Sequence, residues 1–169
     1  TKFFVFAIVV LLALSATAVF AQTATPTPQP VVVQMTVEQL RDAAQTAWGE
    51  ARGEPIEGRY AVIWTIHNRQ MLHHRWKGMP LVAICRAPWQ YGVWNPHDPN
   101  LPHIQSVSLE DAVFCECLQI AIEVLGGQSI SPVGRATHYH TAAIACPNWA
   151  KGHTPICEIG AHRFYEDIP

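Results

Sequence analysis

Charged side chains are scarce in this chain. They make up 14% of its 169 residues, and the formal net charge is −2. No basic stripe is present to grip a nucleic acid, and no acidic block to hold a segment solvated and unfolded. No internal repeat is visible. Cysteines at Cys-x-x-Cys spacing are missing, which removes the paired-cysteine type of metal site. What remains is a length that suits one domain with a real core. Six Trp and four Tyr are many for that size. Some belong to the core, but flat apolar faces are also what a sugar-binding cleft requires.

The N-terminus stands apart. Lys2 is followed by an uncharged stretch from Phe3 to Ala21, strongly apolar as far as Leu14 and closed by Val19-Phe20-Ala21. Small residues at the −3 and −1 positions of a cleavage site make residues 1–21 a secretory signal peptide. The alternative is an uncleaved anchor, since the stretch approaches bilayer-spanning length. Either way the folded part is expected outside the cytoplasm, secreted, periplasmic or wall-associated, or tethered to the membrane. Residues 22–35 form a linker in which Pro26, Pro28 and Pro30 impose an extended, stiff backbone. Residues 36–169 form the domain. Outside the cytoplasm disulfides are possible. Cys146 and Cys157 flank a Pro- and Trp-containing loop and are the first candidate pair, although five cysteines leave at least one unpaired.

Helical signals dominate the domain. Thr36-Val-Glu-Gln39 is a capping box, and Val37, Leu40, Ala43, Ala44, Ala47, Trp48 and Ala51 then fall on one face. Pro55 blocks that helix. A second helix is expected over about residues 57–72; its β-branched run Val62, Ile63, Thr65 and Ile66 also suits a strand, but the length favours a helix. Residues 73–107 read as loop. Ser108 with Asp111 reads as another capping box, opening an apolar helix that ends at Gly126-Gly127 and is expected at the centre of the core. Residues 135–141 and 162–165 read as strands. The sum is an α+β domain, mainly α, with a small antiparallel sheet or hairpin.

The chemistry is concentrated in Trp48-Gly49-Glu50-Ala51-Arg52-Gly53-Glu54-Pro55-Ile56-Glu57-Gly58, which holds three carboxylates in eight residues between two apolar helical patterns. Glu50 falls seven residues after Ala43 and three after Ala47, on the buried face of its helix. A carboxyl there is dry, which raises its pKa and suits it to donate a proton near neutral pH. The competing expectation is an ion pair with Arg52, Arg59 or Arg69.

With those residues in place, the chain resembles the cell-wall hydrolase family of the spore cortex-lytic type. The blocks that carry the resemblance are residues 48–58, Ala61-Val62, Asn68-Arg69, Cys85-Arg-Ala-Pro-Trp-Gln90, Ala136-Thr-His-Tyr-His140, Pro147-Asn-Trp149 and Ile159-Gly-Ala-His-Arg-Phe-Tyr165. The chain departs from the family pattern at Tyr91-Gly92 and Gly134-Arg135. The resemblance implies a lysozyme-like domain that cleaves peptidoglycan between N-acetylmuramic acid and N-acetylglucosamine as a lytic transglycosylase. It implies Glu50 as the catalytic residue, with no cofactor. Asn68, Gln90, His138, Tyr139 and Trp149 are then expected around the glycan, Asn68 having the alternative of tying two helices together. Glu54 and Glu57 could support Glu50 or supply the second carboxylate of a true hydrolase, but the favoured expectation is that they hold Arg residues and backbone amides around the turn. Trp64 and Trp89 are expected in the core.

Two rival classes remain at this level. His138 and His140 alternate on one strand and form a reasonable zinc half-site, which would suit a metal-dependent peptidoglycan amidase or peptidase. A non-catalytic wall-binding module would use the aromatic groups without a dry glutamate.

Overall fold

The computed structural model describes residues 35–169. The expected signal segment, and the expected linker as far as residue 34, lie outside the described residues. The first helix, α1 (Val37–Ala51), opens as its sequence requires: the Thr36 hydroxyl accepts from the Gln39 amide, and the Gln39 side chain accepts from the Thr36 amide. Ala43, Ala44 and Ala47 are fully buried on it. Their small size lets the neighbouring helices approach closely.

After the turn at Gly53, α2 spans Ile56–Leu72. Its β-branched residues Val62, Ile63, Thr65 and Ile66 are all buried in helical conformation, so packing outweighs their mild preference for strands. The stretch read as loop contains two short helices, α3 (Leu81–Cys85) and α4 (Leu101–Ser106), and a single 3-10 turn at Gly92–Trp94. The last helix, α5, runs from Ala112 to Leu125. Its cap is Asp111, which accepts from the Phe114 amide. Ser108 instead accepts from the Glu110 amide, so the cap lies three residues later than expected and is a simple N-cap, not a capping box. A second correction concerns the centre of the core. Helix α5 exposes Ile122, whereas α1 packs against α2, α3, α4, α5 and the 92–94 turn. The middle of the domain is therefore α1, the helix that ends next to Glu50.

Three short strands close the chain: β1 (His138–Thr141), β2 (Cys157–Ile159) and β3 (His162–Tyr165). They form an antiparallel sheet in the order β1-β3-β2, with Tyr139 opposite Phe164. The strand read over residues 135–141 starts only at His138, and β2, three residues long, is too short for its alternation to be read as a strand. Phe164 packs with Ala61, Val133 and Ala136, fastening the sheet to α2. Among the described residues no helix is long and apolar enough to cross a membrane.

Candidate active site

Three parts of the chain converge on Glu50, the penultimate residue of α1. One carboxylate oxygen, Oε1, accepts from the Val93 amide at 3.3 Å. The other, Oε2, accepts from the Tyr139 hydroxyl at 3.0 Å. Such an approach of the 92–94 turn and α4 over the end of α1 requires Gly49. A Cβ there would lie 2.8 Å from Ile104 Cδ1 and 2.9 Å from Val93 Cγ1. The one glycine of the motif that precedes the glutamate is thus a packing requirement of the site.

Burial pushes the Glu50 carboxyl above its ordinary range, and the negative charge of Asp98 pushes in the same direction. The Val93 amide, the Tyr139 hydroxyl and the positive charge of Arg69 oppose the rise. Glu50 forms none of the ion pairs weighed for it. Arg52 reaches Gly49 O and Asn100 Oδ1, Arg59 pairs with Glu116, and Arg69 donates to the Thr137 carbonyl at 2.7 Å. Arg69 is buried between the rings of Trp76 and Tyr91, 4.6 Å from each centroid. Its charge is held near the site without neutralising the glutamate.

A cleft of about 500 Å³ opens from Glu50. Gln90, His138, Tyr139 and Trp149 line it, together with Arg69, His73 and Trp76. The His138 ring sits 5.3 Å from Trp149 and 5.7 Å from Trp76, making an aromatic wall. Burial, with the nearby positive charges of Arg69, His73 and Arg75, pushes the His138 imidazole down to about 3. It is neutral at any ordinary pH and can offer the cleft only hydrogen bonds and a ring face.

Other expected site residues stand elsewhere. Asn68 is buried, and its Nδ2 donates to the Gly134 and Ala136 carbonyls at 3.0 and 2.9 Å. It ties α2 to the segment entering β1, not one helix to another, and it does not line the cleft. Glu54 turns away from Glu50 and accepts from the Ala161 amide at 2.8 Å, holding the β2–β3 turn. Gly160 in that turn has φ +56°, and a Cβ there would lie 1.8 Å from Glu54 Oε2. Glu57 is exposed beside Tyr60 and Glu123. Neither carboxylate is the neighbour whose charge Glu50 feels; that neighbour is Asp98, hidden in the sequence among the turn residues Asn95-Pro-His-Asp-Pro-Asn100.

Trp89 corrects a further expectation. It is 81% exposed, lies on the cleft rim and has φ +64°, a left-handed conformation that is unfavourable for a bulky residue. Trp64 does pack against the core, though only partly buried. Cys146 and Cys157 are not bonded to each other: the Cys157 thiol faces the Pro132 carbonyl on β2, and the exposed Cys146 thiol faces Pro147 O. Of the two histidines of the zinc half-site, His140 has both ring nitrogens engaged, with Thr141 O and the Tyr165 hydroxyl. Among the described residues no group of three or more His, Cys, Asp or Glu is placed to hold a metal ion.

The fold, together with the family match over most of the domain, is that of an enzyme acting on peptidoglycan. The chain belongs to the cell wall hydrolase family, whose model matches residues 53–165. That span takes in the cleft-lining residues from α2 to β3 and begins three residues after Glu50. Two solved structures share the fold. One is the catalytic domain of the germination-specific lytic transglycosylase SleB from Bacillus anthracis, with a TM-score of 0.61 and 21% identity over 80% of this chain and 100% of that one. The other is the catalytic domain of the Bacillus cereus SleB protein, with a TM-score of 0.55 and 22% identity over 79% of this chain and 94% of that one. No curated protein matches the chain.

Proposed function

We propose that this chain cleaves peptidoglycan strands between N-acetylmuramic acid and N-acetylglucosamine as a lytic transglycosylase, with Glu50 as acid and then base. The observation that carries this reading is the enclosed Glu50 carboxyl, held by Val93 N–H and the Tyr139 hydroxyl at the head of an aromatic-walled cleft. A raised pKa keeps such a group protonated where an ordinary carboxyl would be ionised. Its proton passes to the glycosidic oxygen as the C1–O bond breaks. The C6 hydroxyl of the muramic acid then bonds to C1, and its proton returns to Glu50. The product ends in 1,6-anhydro-muramic acid, and no second carboxylate is consumed in the cycle. The Tyr139 hydroxyl stabilises the carboxylate formed in between.

That last role has a testable sign. The Tyr139 hydrogen bond favours the ionised form of Glu50. Tyr139→Phe is expected to raise the Glu50 pKa further and move the alkaline limb of kcat/KM to higher pH. It should also lower the rate at the optimum by about tenfold, as for loss of a hydrogen bond to a charged group. A pH–rate profile of the variant checks both.

Gln90, His138 and Trp149 bind the glycan from the cleft wall, and Trp89 extends the wall as an exposed ring. Trp89→Ala is expected to raise KM about threefold to tenfold, a stacking-sized effect, with kcat nearly unchanged. Steady-state kinetics on soluble glycan fragments separate the two. Residues 1–21 would export the domain, or anchor it, and residues 22–35 would space it from the membrane. Mass spectrometry of muropeptides released from purified sacculi tests the reaction: new 1,6-anhydro-muramic ends support it, and cut stem peptides on intact glycan oppose it.

A further inference from the structure

The carboxylate nearest in effect to Glu50 is Asp98, and a gap separates the two. Gly92 is exposed, and a point one Cβ away from its backbone lies 4.0 Å from Glu50 Oε1 and 3.9 Å from Asp98 Oδ2. Beyond the stretch of chain that carries Gly92, no other heavy atom lies within 4 Å of that point. The two oxygens are therefore less than twice that distance apart, facing one open space that only a missing side chain leaves free. Any larger residue at position 92 would fill it.

Asp98 is aimed as well as near. Its Oδ1 accepts from the Asn100 amide at 2.8 Å, which fixes the carboxylate plane. The Arg52 guanidinium, leaving the end of α1, holds Asn100 Oδ1 at 2.8 Å and so fastens this loop to the helix that carries Glu50. Oδ2 is left to face the gap. Enzymes that direct water onto a sugar ring place their carboxyl groups about 6.5–9.5 Å apart, to leave room for that water. The Gly92 gap caps the separation just under 8 Å, which admits a pair at the lower end of this range.

We propose that Asp98 is a second catalytic carboxylate that directs water to the anomeric carbon, giving this chain a hydrolytic branch beside transglycosylation. The inference rests on the reading of Glu50 as the acid of glycan cleavage. In this branch the Glu50 proton passes to the glycosidic oxygen as C1–O breaks. A water in the gap bonds to C1 and gives its proton to Asp98. The products are a reducing muramic acid end and a free O4 hydroxyl on the N-acetylglucosamine. One water is consumed, and the proton on Asp98 returns to Glu50 through solvent.

The test counts newly formed chain ends in sacculi digested by the full chain and two variants. Borohydride-reducible muramic ends report water attack, and 1,6-anhydro ends report attack by the C6 hydroxyl. Asp98→Asn keeps the acceptor for the Asn100 amide. Gly92→Ala sets a methyl in the gap at ordinary contact distances, without a clash. Wild type is expected to make both kinds of end. Both variants should lower the ratio of reducible to anhydro ends by about a hundredfold, the scale of a general base. Absence of new reducible ends from wild type, or an unchanged ratio in either variant, overturns the role of Asp98. Should wild type cut no glycan at all, the reading of Glu50 falls with it, and the two failures are told apart by whether anhydro ends form.

Discussion

Glu50→Gln should lose about two to four orders of magnitude in glycan cleavage, the range for a group that transfers a proton in the rate-limiting step. The substitution is nearly isosteric. The Gln oxygen still accepts from the Val93 amide, and its amino group can donate to the Tyr139 hydroxyl oxygen. The fold should survive, and its response to pH gives a second readout. The folded-state pKa of Glu50 is raised by burial. Its contribution to stability is fully present below the unfolded value and is lost as pH rises through the folded value. Gln cannot ionise and escapes that loss. The variant should therefore melt no lower than wild type at pH 7, with any advantage disappearing in acid. Inactivity together with retained or higher melting separates a lost proton donor from a damaged fold.

Asn68→Ala should be among the most destabilising single changes in the domain. The residue is buried, and its amide donates to two backbone carbonyls, those of Gly134 and Ala136. Removing it leaves the Ala136 carbonyl without a partner, takes one of two donors from the Gly134 carbonyl, which keeps the Ser131 hydroxyl, and opens a small void. One orphaned buried acceptor costs roughly 1–3 kcal/mol and the second lost hydrogen bond about 1 kcal/mol, so a total of about 2–4 kcal/mol is expected from thermal or denaturant melts. Activity should fall as well, because this segment leads into β1 and sets Tyr139 against Glu50. Asn68→Asp would keep the shape but lose both donated hydrogen bonds and add a buried charge, and it should be no better tolerated.

The helices were legible because their signals are local. Thr36 and Gln39 cap α1 within four residues, and the length of the 56–72 pattern resolved the ambiguity raised by Val62, Ile63, Thr65 and Ile66. Glu50 was legible for a related reason: helical periodicity placed it on the face of Ala43 and Ala47. The last strand, at 162–165, was legible in the same way. Long-range groupings were not legible. Val93 and Tyr139 meet Glu50 from 43 and 89 residues away, and no local pattern encodes those contacts. Asp98 was missed because an aspartate among Asn and Pro residues reads as turn chemistry, which it also performs through Asn100. Trp89 was misplaced because a tryptophan is usually buried, and nothing beside it announces a left-handed backbone. Asn68 sits in a motif block whose company points to the glycan, yet it serves the strand that carries Tyr139.

The central claim is that Glu50 cuts glycan. It is reached most directly by measuring glycan strand length in purified sacculi treated with the wild-type chain and with Glu50→Gln, at equal concentration and with matched melting curves. Wild type is expected to shorten the strands steadily, while the variant leaves them near their starting length. Shortening by the variant at the wild-type rate would contradict the account. So would intact strands in both digests accompanied by cleaved stem peptides.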